Sequence, residues 1–151
     1  MVEEKVLEGK ETEICQIGVV VKDLDKTIEY LTSLGLGPFS VRTVLHSCVV
    51  LRGEKVSYEV RMGKSQQGPV ELELIEYQKG KTIQKEFLDQ RGEGLHHIKC
   101  VVRDIHATLE KFARKGIRPL QEDQSISGGM AYMGTHDIGG IIIEIRGKPI
   151  D

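Results

Sequence analysis

The sequence has no tryptophan, only 5% aromatic residues, four prolines and three cysteines. The missing tryptophan excludes little; the cysteines exclude more. Cys15, Cys48 and Cys100 are widely spaced, form no CxxC pair and are odd in number. That is no disulfide framework, and a reducing, cytoplasmic setting is expected. No stretch approaches ~18 apolar residues, so no membrane-spanning helix is expected. No block of one charge sign exists, and the formal net charge is −2. Nothing therefore points to nucleic acid or a membrane surface as partner. The opening "MVEEKVLEGKETEI" is charged and lacks an apolar core, so a secretion signal is not expected. What is present is ordinary for a soluble globular protein: 39% hydrophobic and 29% charged residues over 151 positions. That length fits one domain or two small fused units.

The sequence repeats itself. Residues 16–38 read "QIGVVVKDLDKTIEYLTSLGLGP" and residues 97–119 read "HIKCVVRDIHATLEKFARKGIRP", a gapless match at an offset of 81. Each copy opens on a β-branched, apolar run that predicts a buried strand. Asp23 and Asp104 then stand where a helix N-cap is needed. Leu24, Ile28, Leu31 and Leu34 recur as one helix face, as do Ile105, Leu109 and Phe112. Gly35 and Gly116 predict helix C-termini, and Pro38 and Pro119 prevent continuation. β-type segments follow each copy: "FSVRTVLHSCVVL", "KVSYEVRMG" and "PVELELIEY", then "GMAYMGT" and "GIIIEIR", with "PLQEDQSIS" the weakest. "GKTIQKEFLDQRGEG" reads as a linking helix with Ile83, Phe87 and Leu88 turned inward. The expected class is α+β. Two tandem βαβββ modules form a curved mixed sheet around a cleft, with an extension over 1–12, modules over 13–78 and 94–151, and the linking helix over 79–93.

Some polar residues sit oddly in this pattern. Gln16 and His97 open the two first strands at equivalent places in the repeat. "VELELIE" puts Glu71 and Glu73 on one strand face, two residues apart. Glu144 stands alone inside Ile-Ile-Ile-Glu-Ile, where a carboxylate is costly unless paired or bound to a cation. Singly, each has an ordinary structural reading. Together they offer an imidazole, an amide and carboxylates, a donor set for a divalent ion such as Co²⁺, Ni²⁺, Mn²⁺ or Zn²⁺. No thiolate belongs to it, which argues against a closed structural zinc site. By strand alternation His97 is the histidine of the His96–His97 pair that faces the cleft, and His96 faces away.

The chain resembles the vicinal oxygen chelate (glyoxalase/bleomycin resistance/dioxygenase) superfamily over about residues 13 to 146. Within it, "FLDQRGEGLHHI", the opening "QIGVVVKDLDKTIEYLTSLGLGPF" and "SGGMAYMG" with "GGIIIEI" are similar to methylmalonyl-CoA epimerases. The resemblance implies a metal-binding cleft between paired modules and assigns Gln16, Glu73 (rather than Glu71), His97 and Glu144 as metal ligands. Gln16 departs from the histidine usual in epimerases, while some glyoxalases I carry Gln there. The implied metal is Co²⁺ first, with Ni²⁺, Mn²⁺ or Zn²⁺ as substitutes. Glu59 in "SYEVRMG" falls near the family's catalytic base. With Glu144 it forms the expected acid–base pair for C2 proton transfer on an acyl-CoA through a metal-stabilised enolate. Homodimerisation is implied as well. Glyoxalase I-type isomerisation is the alternative enzyme reading. A non-catalytic small-molecule-binding protein on the same fold is the alternative of another class.

Overall fold

The computed structural model describes residues 3–149. Met1, Val2, Ile150 and Asp151, which the expected extension over 1–12 and second module over 94–151 include, lie outside the described residues. After a 3₁₀ turn at Gly9–Thr12, the first half runs β1 (Ile14–Val21), α1 (Leu24–Ser33), β2 (Ser40–Leu51), β3 (Glu54–Gln67) and β4 (Val70–Gly80). Helix α2 (Ile83–Arg91) links it to β5 (Gly94–Val102), α3 (Ile105–Arg114), β6 (Pro119–Asp123), β7 (Met130–Met133) and β8 (Ile142–Gly147). Both halves are thus βαβββ, including the weakly signalled β6. The eight strands close into a barrel in the order β1-β4-β3-β2-β6-β7-β8-β5.

The helices form where the caps require. The Asp23 side chain accepts from the Lys26 amide, and the Asp104 side chain from the amides of His106 and Ala107. Gly35 and Gly116 adopt φ of 104° and 76° just past the helices, a region that a Cβ disfavours. Leu24 is fully buried against Val21 and Leu74, with Ile28 and Leu31 beside it. Phe112 and Ile105 bury against Val102, Met133 and Ile145 in the second half. Each such side chain contributes about 1.5–3 kcal/mol through burial. Leu34 departs from the expected apolar face. It is the C-cap, where the helical stripe has ended, and it is 64% exposed.

The two faces of β1 meet different surroundings. Val19 and Val21 face the α1 layer, while Gln16 faces a cavity inside the barrel. Within each half the first strand pairs parallel with the last, β1 with β4 and β5 with β8. Between halves β1 pairs antiparallel with β5, and β2 with β6. This pairing brings the four expected ligands together.

Candidate active site

Register explains the convergence. In β1 and β4, Gln16 aligns with Glu71 and Gly18 with Glu73; in β5 and β8, His97 aligns with Ile142 and Lys99 with Glu144. In each half, therefore, the first-strand residue lies two positions from the level of its carboxylate. Across the central seam Gly18 sits opposite His97, and Gln16 opposite Lys99. The His97 Nε2 is 3.0 Å from Gln16 Oε1, 3.7 Å from Glu73 Oε1 and 3.4 Å from Glu144 Oε2. All four expected ligands are buried, His97 completely. Gln16, Glu73 and Glu144 line the cavity, which holds about 340 Å³, and Lys64, Lys99, Arg42 and Arg146 also reach its walls.

Gly18 is what admits the imidazole. A Cβ there would lie 1.9 Å from His97 Cε1. The ring occupies the space that any other residue would fill.

The electrostatics are divided. Burial raises the Glu73 pKa, and the nearby Glu144 charge raises it further against His97, Lys64 and Lys99. Burial also opposes ionisation of Glu144, but His97, Lys99 and Arg146 hold its pKa below the ordinary value. The Gln16 amide nitrogen donates to Glu71 Oε1 at 2.7 Å and to Glu73 Oε2 at 3.3 Å. Lys64 Nζ lies 3.4 Å from Glu73 Oε2. Glu144 Oε2 is buried and makes no hydrogen bond.

His96 is not where alternation places it. The seam slips between Gly18 and Val19: Gly18 pairs with His97 but Val19 with Leu95, so His96 is the extra residue of a bulge. Its ring turns inward and lies edge-on to Phe87, His97 and Tyr132. His96 Nδ1 is 2.9 Å from His97 Nδ1. Burial, then the neighbouring His97, lowers the His96 pKa far below its usual value.

Glu59 requires a correction. In β3 the cavity-lining residues are Tyr58, Val60, Met62 and Lys64, so Glu59 belongs to the outer face. It pairs with Lys79 at 3.8 Å and its side chain is 27% exposed. One step of strand alternation separates it from the cavity. The structure does not bring it to the other candidates.

A second polar group went unnoticed in the sequence. His46 of β2 and Asp123 of β6 line the same cavity, with Nδ1 and Oδ2 3.7 Å apart. The signal was available. Arg42, Val44 and His46 alternate in phase, but the bulge between His46 and Val49 hides the period.

A family model described as the glyoxalase/bleomycin resistance protein/dioxygenase superfamily matches residues 15–133. The chain belongs to that superfamily. Among solved structures it is similar to Streptomyces coelicolor methylmalonyl-CoA epimerase in complex with 2-nitronate-propionyl-CoA, at 26% identity and a TM-score of 0.63, over 91% of this chain and 97% of that one. A hypothetical protein of Bacillus halodurans matches at 21% identity and a TM-score of 0.65, over 92% and 96%. Methylmalonyl-CoA epimerase of Mycobacterium tuberculosis matches at 20% identity and a TM-score of 0.62, over 100% and 94%. No curated protein matches the sequence. Among the described residues, no helix is long and apolar enough to cross a membrane.

Proposed function

We propose that this superfamily member is a metal-dependent epimerase of methylmalonyl-CoA or a similar acyl-CoA. One observation carries the reading. An imidazole, an amide and two carboxylates, from the first and last strands of both halves, meet in a buried cluster where one carboxylate oxygen has no hydrogen bond. As the side chains stand, no group of three or more His, Cys, Asp or Glu among the described residues is set to hold a metal by itself. Here the fourth donor is an amide, and hydrogen bonds from Gln16 and a nearby Lys64 occupy Glu73. The spacings around His97 Nε2 nevertheless match donors sharing one cation at ordinary bond lengths, which stand roughly 3–4 Å apart. A cation would also answer the cost of two adjacent buried carboxylates. The residues therefore fit a divalent ion held by Gln16, Glu73, His97 and Glu144, with an all-N/O set that suits Co²⁺. When bound, such an ion supplies Lewis-acid stabilisation of an enolate oxygen.

The chain's own residues do the rest. With Nε2 committed to a cation, the His97 proton sits on Nδ1, and the neutral His96 Nδ1 accepts it. Lys64, Lys99, Arg42 and Arg146 give the cavity cationic walls suited to a substrate carboxylate. Glu144, which lines the cavity, remains the catalytic carboxylate of the expected pair. The similar epimerase structure in complex with an acyl-CoA agrees with this substrate class.

The test is incubation of Co²⁺-supplied protein with methylmalonyl-CoA in D₂O, followed by NMR of the C2 position. Deuteration at C2 is the expected result. A protein that binds divalent metal but leaves C2 protonated is not this epimerase. The donor set Gln, Glu, His, Glu favours a second reading, glyoxalase-type isomerisation of a glutathione hemithioacetal, and a parallel trial with that substrate decides between them. Failure to bind any divalent ion would return the chain to the non-catalytic binders of the fold.

A further inference from the structure

The barrel order divides the cavity wall. β8, β5, β1 and β4 are consecutive and carry the four candidate ligands, while β3, β2, β6 and β7 form the opposite arc. A substrate held on the first arc presents its other side to the second. That second arc carries Tyr58, His46 and Asp123.

His46 is held in place from two sides. Its ring stacks on Tyr58 with centroids 4.6 Å apart and an interplanar angle of 22°. Its Nδ1 faces Asp123 Oδ2 at 3.7 Å. Asp123 is itself fixed, since its Oδ1 accepts from the Ser125 amide at 2.9 Å and from the Ser125 hydroxyl at 2.5 Å. The β2 bulge between His46 and Val49 keeps both His46 and Val49 inward. Such an arrangement fits a general base beside an orienting carboxylate, contacts that are often long before substrate binds.

Resting on the epimerase reading of the cluster, we propose that His46, oriented by Asp123, is the general base of the cavity, in the place first expected for Glu59. With Nδ1 turned to Asp123, Nε2 is the atom that acts on substrate. The step breaks the substrate C2–H bond. Its electron pair moves into the enolate, and the proton passes to His46 Nε2. The resulting imidazolium is balanced by the Asp123 carboxylate. The proton on Nε2 exchanges with solvent, and its return to the enolate re-forms the C–H bond; a solvent proton that arrives on the opposite face of the enolate gives the other epimer.

The groups facing the imidazole are Asp123 from β6, Tyr58 from β3 and Arg42 from its own strand. Burial lowers the His46 pKa below its usual value, Asp123 opposes this and Arg42 adds to it. The base is therefore unprotonated at neutral pH.

The experiment uses Co²⁺-supplied full-length protein, methylmalonyl-CoA and D₂O. His46→Gln is expected to slow C2 exchange by about 10²–10⁴-fold, with cobalt binding unchanged. Glu59→Gln is expected to exchange at the wild-type rate. Asp123→Asn is expected to slow exchange and move the acid limb of kcat/KM to lower pH, because the group that raises the His46 pKa is gone. Wild-type exchange in His46→Gln overturns the proposal alone, as does an unmoved acid limb in Asp123→Asn. If His46→Gln fails to unfold cooperatively, the Asp123→Asn profile decides. A wild-type protein inactive on both methylmalonyl-CoA and the hemithioacetal overturns the reading of the cluster, and the dyad's role with it.

Discussion

The two halves share a frame and differ in what fills it. In the first, Gln16 and Glu73 sit near solvent-reaching partners, Glu71 and Lys64, which already answer their polarity. In the second, His97 is fully buried, Glu144 is buried to the same degree as Glu73, and a bulge folds His96 in behind them. At the seam, repeat-related positions hold opposite solutions: Gly18 clears space for His97, while Lys99, its counterpart, stands across from Gln16. The repeat builds the cavity. Departures from the repeat make it chemically asymmetric, with the stronger donor and the carboxylate oxygen that makes no hydrogen bond both in the second half.

The sharpest way to break this asymmetry is Gly18→Ala. The new Cβ would fall 1.9 Å from the His97 ring. Overpacking of this kind costs about 1–3 kcal/mol. The ring must leave its position to relieve it. The variant is expected to melt lower in a thermal scan and to bind Co²⁺ far more weakly in calorimetric titration. Retention of wild-type affinity would mean that His97 is not a ligand.

A smaller effect is expected from His96→Phe, which keeps an aromatic ring beside Phe87 and Tyr132 but removes the acceptor for His97 Nδ1. Loss of such a partner behind a metal ligand typically costs about 10–100-fold in metal affinity. His96→Gln, which restores an acceptor, should recover part of it. If phenylalanine and glutamine at 96 bind cobalt alike, the bulge serves packing and not the ligand.

Much of this frame was legible. The 81-residue offset carried the strand and helix order, the caps and the pairing of Gln16 with His97. Glu144 was visible because a carboxylate among four isoleucines has few uses. What could not be read was phase. Strand alternation is a parity argument, and one extra residue reverses it. The bulge at His96 turned an outward prediction inward, and the bulge after His46 hid an inward residue among exposed neighbours. Glu59, which only the family resemblance pointed to, lies one position from Tyr58, which does line the cavity. The meeting of His46 with Asp123 joins strands from different halves through three register positions only, and no local pattern marks it.

The smallest expected effect concerns this inter-half contact and acid. Burial holds the His46 pKa in the folded protein below the value of an exposed histidine. The unfolded chain therefore takes up the proton more readily. Its contribution to stability is fully present above the unfolded pKa, near 6.5, and is lost as pH falls from there through the lower folded pKa. His46→Asn removes the titration. Between pH 7.5 and pH 5 the unfolding temperature of the wild type should fall further than that of the variant, and the difference should be modest because the imidazole is only partly buried. Equal drops in the two proteins would show that His46 is not held neutral by its surroundings, and the inter-half contact would then contribute no acid sensitivity of its own.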